Sequence, residues 1–194
     1  AEEADLPQGT LPSVLAPSWS ADYYGGFIPG SGGRYHYDGA NQRNRQAFTA
    51  NSTIFGPKNM AYFDSLSFDT GGKYNTNMTV GRGEDSVCKP MLMKYVDPFV
   101  WLKAAKPNGT KVLDGERCTV YLLAMSFRGK TAEFSACIAA DGVPRELNES
   151  LSTGGFGGPI YYRFTNAQVG QQDPSMFQVS DACARRYPTA PCHR

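Results

Sequence analysis

Residues 117–127 read Arg-Cys-Thr-Val-Tyr-Leu-Leu-Ala-Met-Ser-Phe, and no other stretch limits the fold so strongly. In a strand, successive side chains point to opposite faces. Cys118, Val120, Leu122 and Ala124 therefore share one face, and Thr119, Tyr121, Leu123, Met125 and Phe127 the other. A strand with one wet side carries one polar face. Neither face is polar here, which predicts a strand covered on both sides by protein, ligand or partner. Arg128-Gly-Lys130 then turns the chain into 131–140, where Phe134, Ala136 and Ile138 share a face, and Asp141-Gly-Val-Pro144 turns it again.

Shorter versions of this pattern recur along the chain. Residues 19–28 form a candidate first strand, and 34–45 a β-hairpin. In the hairpin Tyr35 and Tyr37 share one face, Arg34, His36 and Asp38 the other, and Asp38-Gly39 supplies the turn into a polar strand over 42–47. Segments 59–68, 73–80, 146–151 and 160–169 extend the series. Only 97–105 offers a helix start, with Asp97 as N-cap and Pro98 at the first helical position. The expected fold is mainly β, with about eight to eleven strands and little helix. Aromatic residues make up 12% of the chain and charged residues only 19%, which suits strands with large apolar faces. Residues 1–18, Pro- and Ser-rich, read as an extended arm, and 19–194 as a single domain.

Charge and motifs narrow the function classes. A net charge of +1 provides no field for nucleic acid, and no apolar run is long enough to span a membrane. H-E-x-x-H, G-x-S-x-G, Walker and EF-hand patterns are all missing. His36 lies two residues from Asp38 but has no nucleophile to serve. The expectation is a protein that is not an enzyme. Asn-X-Ser/Thr sequons at Asn51, Asn77, Asn108 and Asn148 point to a glycoprotein. Five cysteines with no C-x-x-C pair point to disulfides rather than metal. Together they predict secretion, and the N-terminus reads as a mature end left after signal removal, with a cytosolic start as the alternative.

The excess of aromatic and thioether side chains admits two readings, a large core or an apolar cavity. For the cavity the candidate wall comes first from the hairpin and its neighbours, Tyr35, Tyr37 and Tyr62, and from the helix-start region, Tyr95, Phe99 and Trp101. The strand over 117–127 adds Tyr121, Leu123, Met125 and Phe127, and 160–169 adds Tyr162 and Phe164. A tyrosine ring packs on an apolar chain while its hydroxyl meets a polar ligand end.

Tyr37-Asp-Gly-Ala-Asn-Gln-Arg-Asn-Arg45 resembles the early Tyr-Asp…Asn-Gln-Arg-x-Arg segment of ependymin-related proteins. Arg163-Phe-Thr-Asn-Ala-Gln-Val-Gly-Gln-Gln-Asp-Pro-Ser-Met-Phe177, followed by Cys183, resembles that family's closing strand and its Gly…Asp-Pro-Ser-x-Phe…Cys ending. Trp19 and Cys88-Lys-Pro90 fall in the same order. The resemblance implies a LolA-like half-barrel, a curved antiparallel sheet around a hydrophobic pocket, in a secreted glycoprotein that dimerises with itself or a related chain. It implies a lipid or carotenoid as ligand and, in some members, calcium, for which no acidic cluster stands out here.

The same resemblance implies a Cys88–Cys183 disulfide. Cys118 and Cys137, on adjacent strands, are inferred to pair. A tight turn at Arg128-Gly129 sets Cys118 opposite about residue 139, so that pair is expected to need an asymmetric loop or bulge. Cys192 is left over. The leading expectation is a binder of an elongated hydrophobic ligand. The alternative is an extracellular matrix or adhesion glycoprotein whose apolar face is only an oligomer interface.

Overall fold

The computed structural model describes residues 14–26, 30–52, 59–69, 76–81, 86–91, 95–127, 130–151 and 159–186. The strands are β1 Ser18–Gly26, β2 Gly32–Asp38, β3 Arg43–Ser52, β4 Asn59–Phe68, β5 Thr76–Val80, β6 Val87–Met91, β7 Lys106–Leu113, β8 Glu116–Phe127, β9 Lys130–Ala139, β10 Pro144–Leu151 and β11 Ile160–Val169. All belong to one antiparallel sheet in the order β6-β5-β4-β3-β2-β1-β11-β10-β9-β8-β7. The chain meanders outward from β1 to β6 at one edge. It then crosses to the opposite edge, starts β7, and meanders back until β11 lies beside β1. The sheet is curved and does not close, because β6 and β7 are its two edges. This is the half-barrel architecture the resemblance implies, and the α-helix among the described residues is one short piece, α1 Asp181–Arg186.

Register assigns each apolar set to a face. Trp19 pairs with Tyr37 and Ala21 with Tyr35 across β1 and β2, and Tyr23 pairs with Phe164 across β1 and β11. These side chains form the inner layer, with Trp19 and Tyr37 fully buried. Each large side chain so buried contributes about 1.5–3 kcal/mol. Gly33 carries no side chain because a Cβ there would sit 1.8 Å from the Ala47 carbonyl oxygen, so β2 and β3 approach only with glycine at that point.

The outer face is covered in two places. Over β2–β6 the C-terminal segment lies against the sheet: Arg45 Nη1 donates to the Met176 carbonyl at 2.7 Å, the Arg43 guanidinium stacks 4.3 Å from the Phe177 ring, and Cys183 bonds Cys88. Over β8–β11 ion pairs do the work, with Lys111 on Glu146 at 2.7 Å, Arg163 on Asp114 at 2.6 Å, and Arg145 on Glu116 and Asp141.

Three expectations need correction and one is met in part. The helix expected over 97–105 is only a 3-10 turn, Val100–Lys103. Asp97 does cap it, accepting from the Phe99 amide at 2.8 Å, but so short a segment cannot offset the cost of an α-helical nucleus. The Asp38-Gly39 turn is a 3-10 turn over Gly39–Asn41, closed by Gln42 in the left-handed region at φ 49°.

The chain itself covers β8 only in part, which leaves the rest of the expected cover to ligand or partner. Cys118 is buried and Thr119 to Leu123 are half-buried, but Ala124 and Ser126 are exposed and Met125 is 39% exposed. The pairing of β7 stops at Lys106 opposite Leu122, so the rest of β8 has a neighbour on one side only. Finally, Cys118 does lie opposite Ala139, and no bulge shifts it. Cys137 sits opposite Val120, two residues along on the same face, and the disulfide bridges that diagonal with a Cα–Cα distance of 5.3 Å. Strand twist brings one diagonal of such a pair together.

Candidate ligand cavity

The crossover between the two edge strands builds the site. Residues 95–105 run across the concave side of the sheet and press Phe99, Trp101 and Leu102 into it. Phe99 meets Trp19 at 5.8 Å, Tyr35 at 6.5 Å and Tyr37 at 5.2 Å between ring centroids, in edge-to-face geometry. Trp101 meets Phe134 of β9 at 5.7 Å. The Tyr37 hydroxyl donates to Asp97 Oδ2 at 2.8 Å and ties the crossover to β2. Burial raises the Asp97 carboxyl above its ordinary range, against the hydrogen bonds from Phe99 and Tyr37 that favour its charge. The Tyr37 hydroxyl is likewise pushed up by burial and by Asp97.

Beside this plug a cavity of about 210 Å³ remains. Its apolar wall is Tyr35, Phe99, Leu147, Ile160, Tyr162 and Phe164; its polar side is Asn44, Gln46, Ser67 and Glu149. Strand alternation explains the mixture. Tyr35 and Tyr37 pair with Gln46 and Asn44 of β3, which pair with Ser65 and Ser67 of β4. A polar strip therefore runs along the concave face next to the aromatic one. Across the sheet Leu147 opposes Tyr162, and Glu149 opposes Ile160 and Phe134, so a carboxylate stands on the apolar face of β10.

Gln46 donates to the Tyr162 hydroxyl at 3.1 Å, and Tyr162 stacks on Phe164 at 5.7 Å. Glu149 has no hydrogen bond or ion pair among the described residues, and burial alone raises its carboxyl above the usual range. Two indole nitrogens, Trp19 Nε1 and Trp101 Nε1, are also buried without a hydrogen bond among the described residues.

The candidate wall residues fall in different places. Tyr35, Phe99, Tyr162 and Phe164 line the cavity. Tyr37, Tyr95 and Trp101 are buried in the aromatic layer and under the crossover. Tyr121 and Leu123 pack half-buried against the core, and Tyr121 borders a separate, open recess of about 750 Å³ shared with residues 14–17 and Val169. Met125 is on the concave side of the uncovered end of β8, opposite Ala132. Tyr62 alternates with Phe63 and so occupies an outer-face position of β4. The side chain of Phe127 lies outside the described residues.

Asn44, Gln46, Ser67 and Glu149 escape a search for aromatic residues. The signal for Glu149 is present in 144–151, where alternation puts a carboxylate in register with Leu147. His36 is buried on the outer face. Its Nδ1 is 3.0 Å from Gln172 Oε1 and its ring meets Phe177, whereas Asp38 pairs with Arg43. No His–Asp pair forms. Among the described residues no three His, Cys, Asp or Glu side chains gather as a metal site.

Of the four sequons, Asn108 is exposed on the edge strand β7, Asn148 is half-buried beside Glu146, and Asn77 is only 7% exposed. The Asn51 side chain and Cys192 lie outside the described residues. The disulfides Cys88–Cys183 and Cys118–Cys137 belong to an oxidising, extracytoplasmic compartment. No helix of the described residues is long and apolar enough to cross a membrane.

No protein-family model matches this chain, and no curated protein matches its sequence. Among solved structures, a crystal structure of MucB in complex with MucA(peri) is similar at TM-score 0.35 and 13% identity. That match covers 85% of this chain and 55% of the other, so the chain spans about half the length of that neighbour.

Proposed function

We propose that this chain is a secreted glycoprotein that binds an elongated hydrophobic ligand, a lipid or a carotenoid, by one end in the concave cavity. The observation that carries this reading is the wall itself: Tyr35, Phe99, Leu147, Ile160, Tyr162 and Phe164 facing Asn44, Gln46, Ser67 and Glu149. Small-molecule sites pair an apolar wall with a few convergent polar groups. At about 210 Å³ the cavity is smaller than the usual ligand site, so it takes a ring or head group while the remainder of a long ligand extends outward. The resemblance to ependymin-related proteins supports the same ligand class, and the sequons and disulfides support secretion.

Mass spectrometry of an organic extract of the native protein tests this. One stoichiometric apolar compound is the expected result, and an absorption spectrum separates a pigment from a colourless lipid. A clean extract from protein that also binds no added lipid refutes it. A second reading, an adhesion or matrix glycoprotein that self-associates, draws on the uncovered end of β8 at Ala124 and Met125. Size exclusion over a dilution series, before and after delipidation, decides between them: dimers indifferent to delipidation, with an empty extract, favour the second.

A further inference from the structure

The charges around the cavity narrow its ligand, resting on the reading that the cavity binds one. Among the described residues twelve line it, of which Glu149 is the one acid and none is Lys or Arg. The other titratable groups facing Glu149 are the hydroxyls of Tyr35, from β2, and Tyr162, from β11. The crossover adds a second acid, Asp97, on which Lys103 acts; Asp97 and Glu149 both act on Tyr35. A carboxylate or phosphate head group entering here would meet like charge in a poorly solvated site, with no cation among the described lining residues to compensate.

A cation meets the opposite situation. Glu149 has no partner among the described residues and sits in a cavity walled by Tyr35, Phe99, Tyr162 and Phe164, whose ring faces attract positive charge. A carboxylate left alone on an apolar face is costly to the folded chain. A bound ammonium removes that cost, while the rings and Ile160 hold the carbons attached to it.

We propose that the cavity selects an organic ammonium group, so that the hydrophobic ligand is a cationic amphiphile whose nitrogen sits between Glu149 and the aromatic wall. The rings select the charge in the same direction as the carboxylate, and the Asn44 and Gln46 amides and the Ser67 hydroxyl supply acceptors for the N–H groups of a primary amine. The apolar chain leaves past Val96 and Pro98 of the crossover, the lining residues with no polar side chain on that side.

The test compares three probes of equal chain length against the full-length protein by NMR titration at neutral pH: n-hexylammonium, hexan-1-ol and hexanoate. The expected order is ammonium tighter than alcohol by about tenfold or more, with hexanoate weakest. Glu149→Gln keeps the shape and removes the charge. It should bring the ammonium down to about the affinity of the alcohol for the same variant, and raise the melting temperature of the unliganded protein. Acidification that protonates Glu149 should erase the same preference in the natural chain. Alcohol binding as tightly as ammonium, or hexanoate binding best, overturns the ammonium proposal and leaves the hydrophobic cavity standing. Binding of none of the three overturns both. A carotenoid recovered from the native protein overturns the ammonium proposal alone. The probe series is run on the natural chain, so the order of affinities decides the matter even where the variant folds poorly.

Discussion

Replacing Tyr37 by Phe removes one oxygen from the joint between the crossover and the sheet. The ring keeps its neighbours, Trp19 at 5.6 Å and Phe99 at 5.2 Å, so packing is conserved. What disappears is the 2.8 Å hydrogen bond to Asp97 Oδ2, leaving the Phe99 amide as that carboxylate's remaining hydrogen bond shown in this structure. Hydrogen bonds to charged groups contribute about 1.5–3 kcal/mol, and this one is fully buried at the tyrosine end. In a chain of this size that corresponds to a fall in melting temperature of about 3–12 °C.

The sign of the pH dependence follows from Asp97. Its folded-state pKa is raised above the ordinary 3.8, so its contribution favours folding below that value and is lost as pH rises through the folded pKa. Deleting the tyrosine hydroxyl removes a group that favours the charged form, so the penalty grows at neutral pH. Urea unfolding of Tyr37→Phe should show the full loss at neutral pH and a smaller one once acidification has protonated Asp97. In an Asp97→Ala background the same change should cost less than about 0.5 kcal/mol. An equal loss at both pH values, or in both backgrounds, refutes the reasoning.

Three further outcomes are expected. The Cys88–Cys183 disulfide closes a separation of 95 residues and Cys118–Cys137 one of 19, so the chain-entropy relation assigns them about 4.7 and about 3.2 kcal/mol. Paired serine variants compared by urea unfolding should keep that order, and the reverse order would show that strain or residual unfolded structure dominates. Asn108, exposed at an irregularity of the edge strand β7, should carry glycan and Asn77, buried under the C-terminal segment, should not; glycopeptide mass spectrometry reads both sites. Burial lowers the pKa of His36 below its ordinary 6.5, and Arg34 and Arg45 act in the same direction against Gln172 and Asp64. Its contribution to stability is therefore complete above about pH 6.5 and lost as pH falls through the folded value. A His36→Gln variant should show a flatter melting temperature between about pH 5 and 7, and an unchanged slope would place the sensitivity elsewhere.

Local pattern was enough for much of the fold. Apolar content identified β4 with its observed bounds, and alternation identified β8, β9 and β11 to within a residue at either end, because side-chain pattern and turn chemistry act over a few neighbours. It passed over β6 and β7, where Pro90 and Pro107 interrupt the pattern, and α1, which is barely more than one turn. The candidate site was only partly legible. Aromatic content located Tyr35, Phe99, Tyr162 and Phe164, but it also selected Tyr37 and Trp101, which fill the concavity instead of lining what is left of it.

By itself, then, the amino-acid order determined a mainly antiparallel chain with little helix, and which side chains of each strand share a face. The two-sided apolar segment at 117–127 shows where that information ends. Alternation states that both its faces are apolar, yet what covers them depends on how far β7 extends and where the crossover lies. Only the tertiary structure joined the two edges through residues 95–105, buried His36 beneath Phe177, turned Cys118 toward Cys137 along a twisted diagonal, and stood Glu149 alone among aromatic rings. These contacts link residues tens of positions apart. Their energies depend on which surfaces meet, and no local window of sequence contains that.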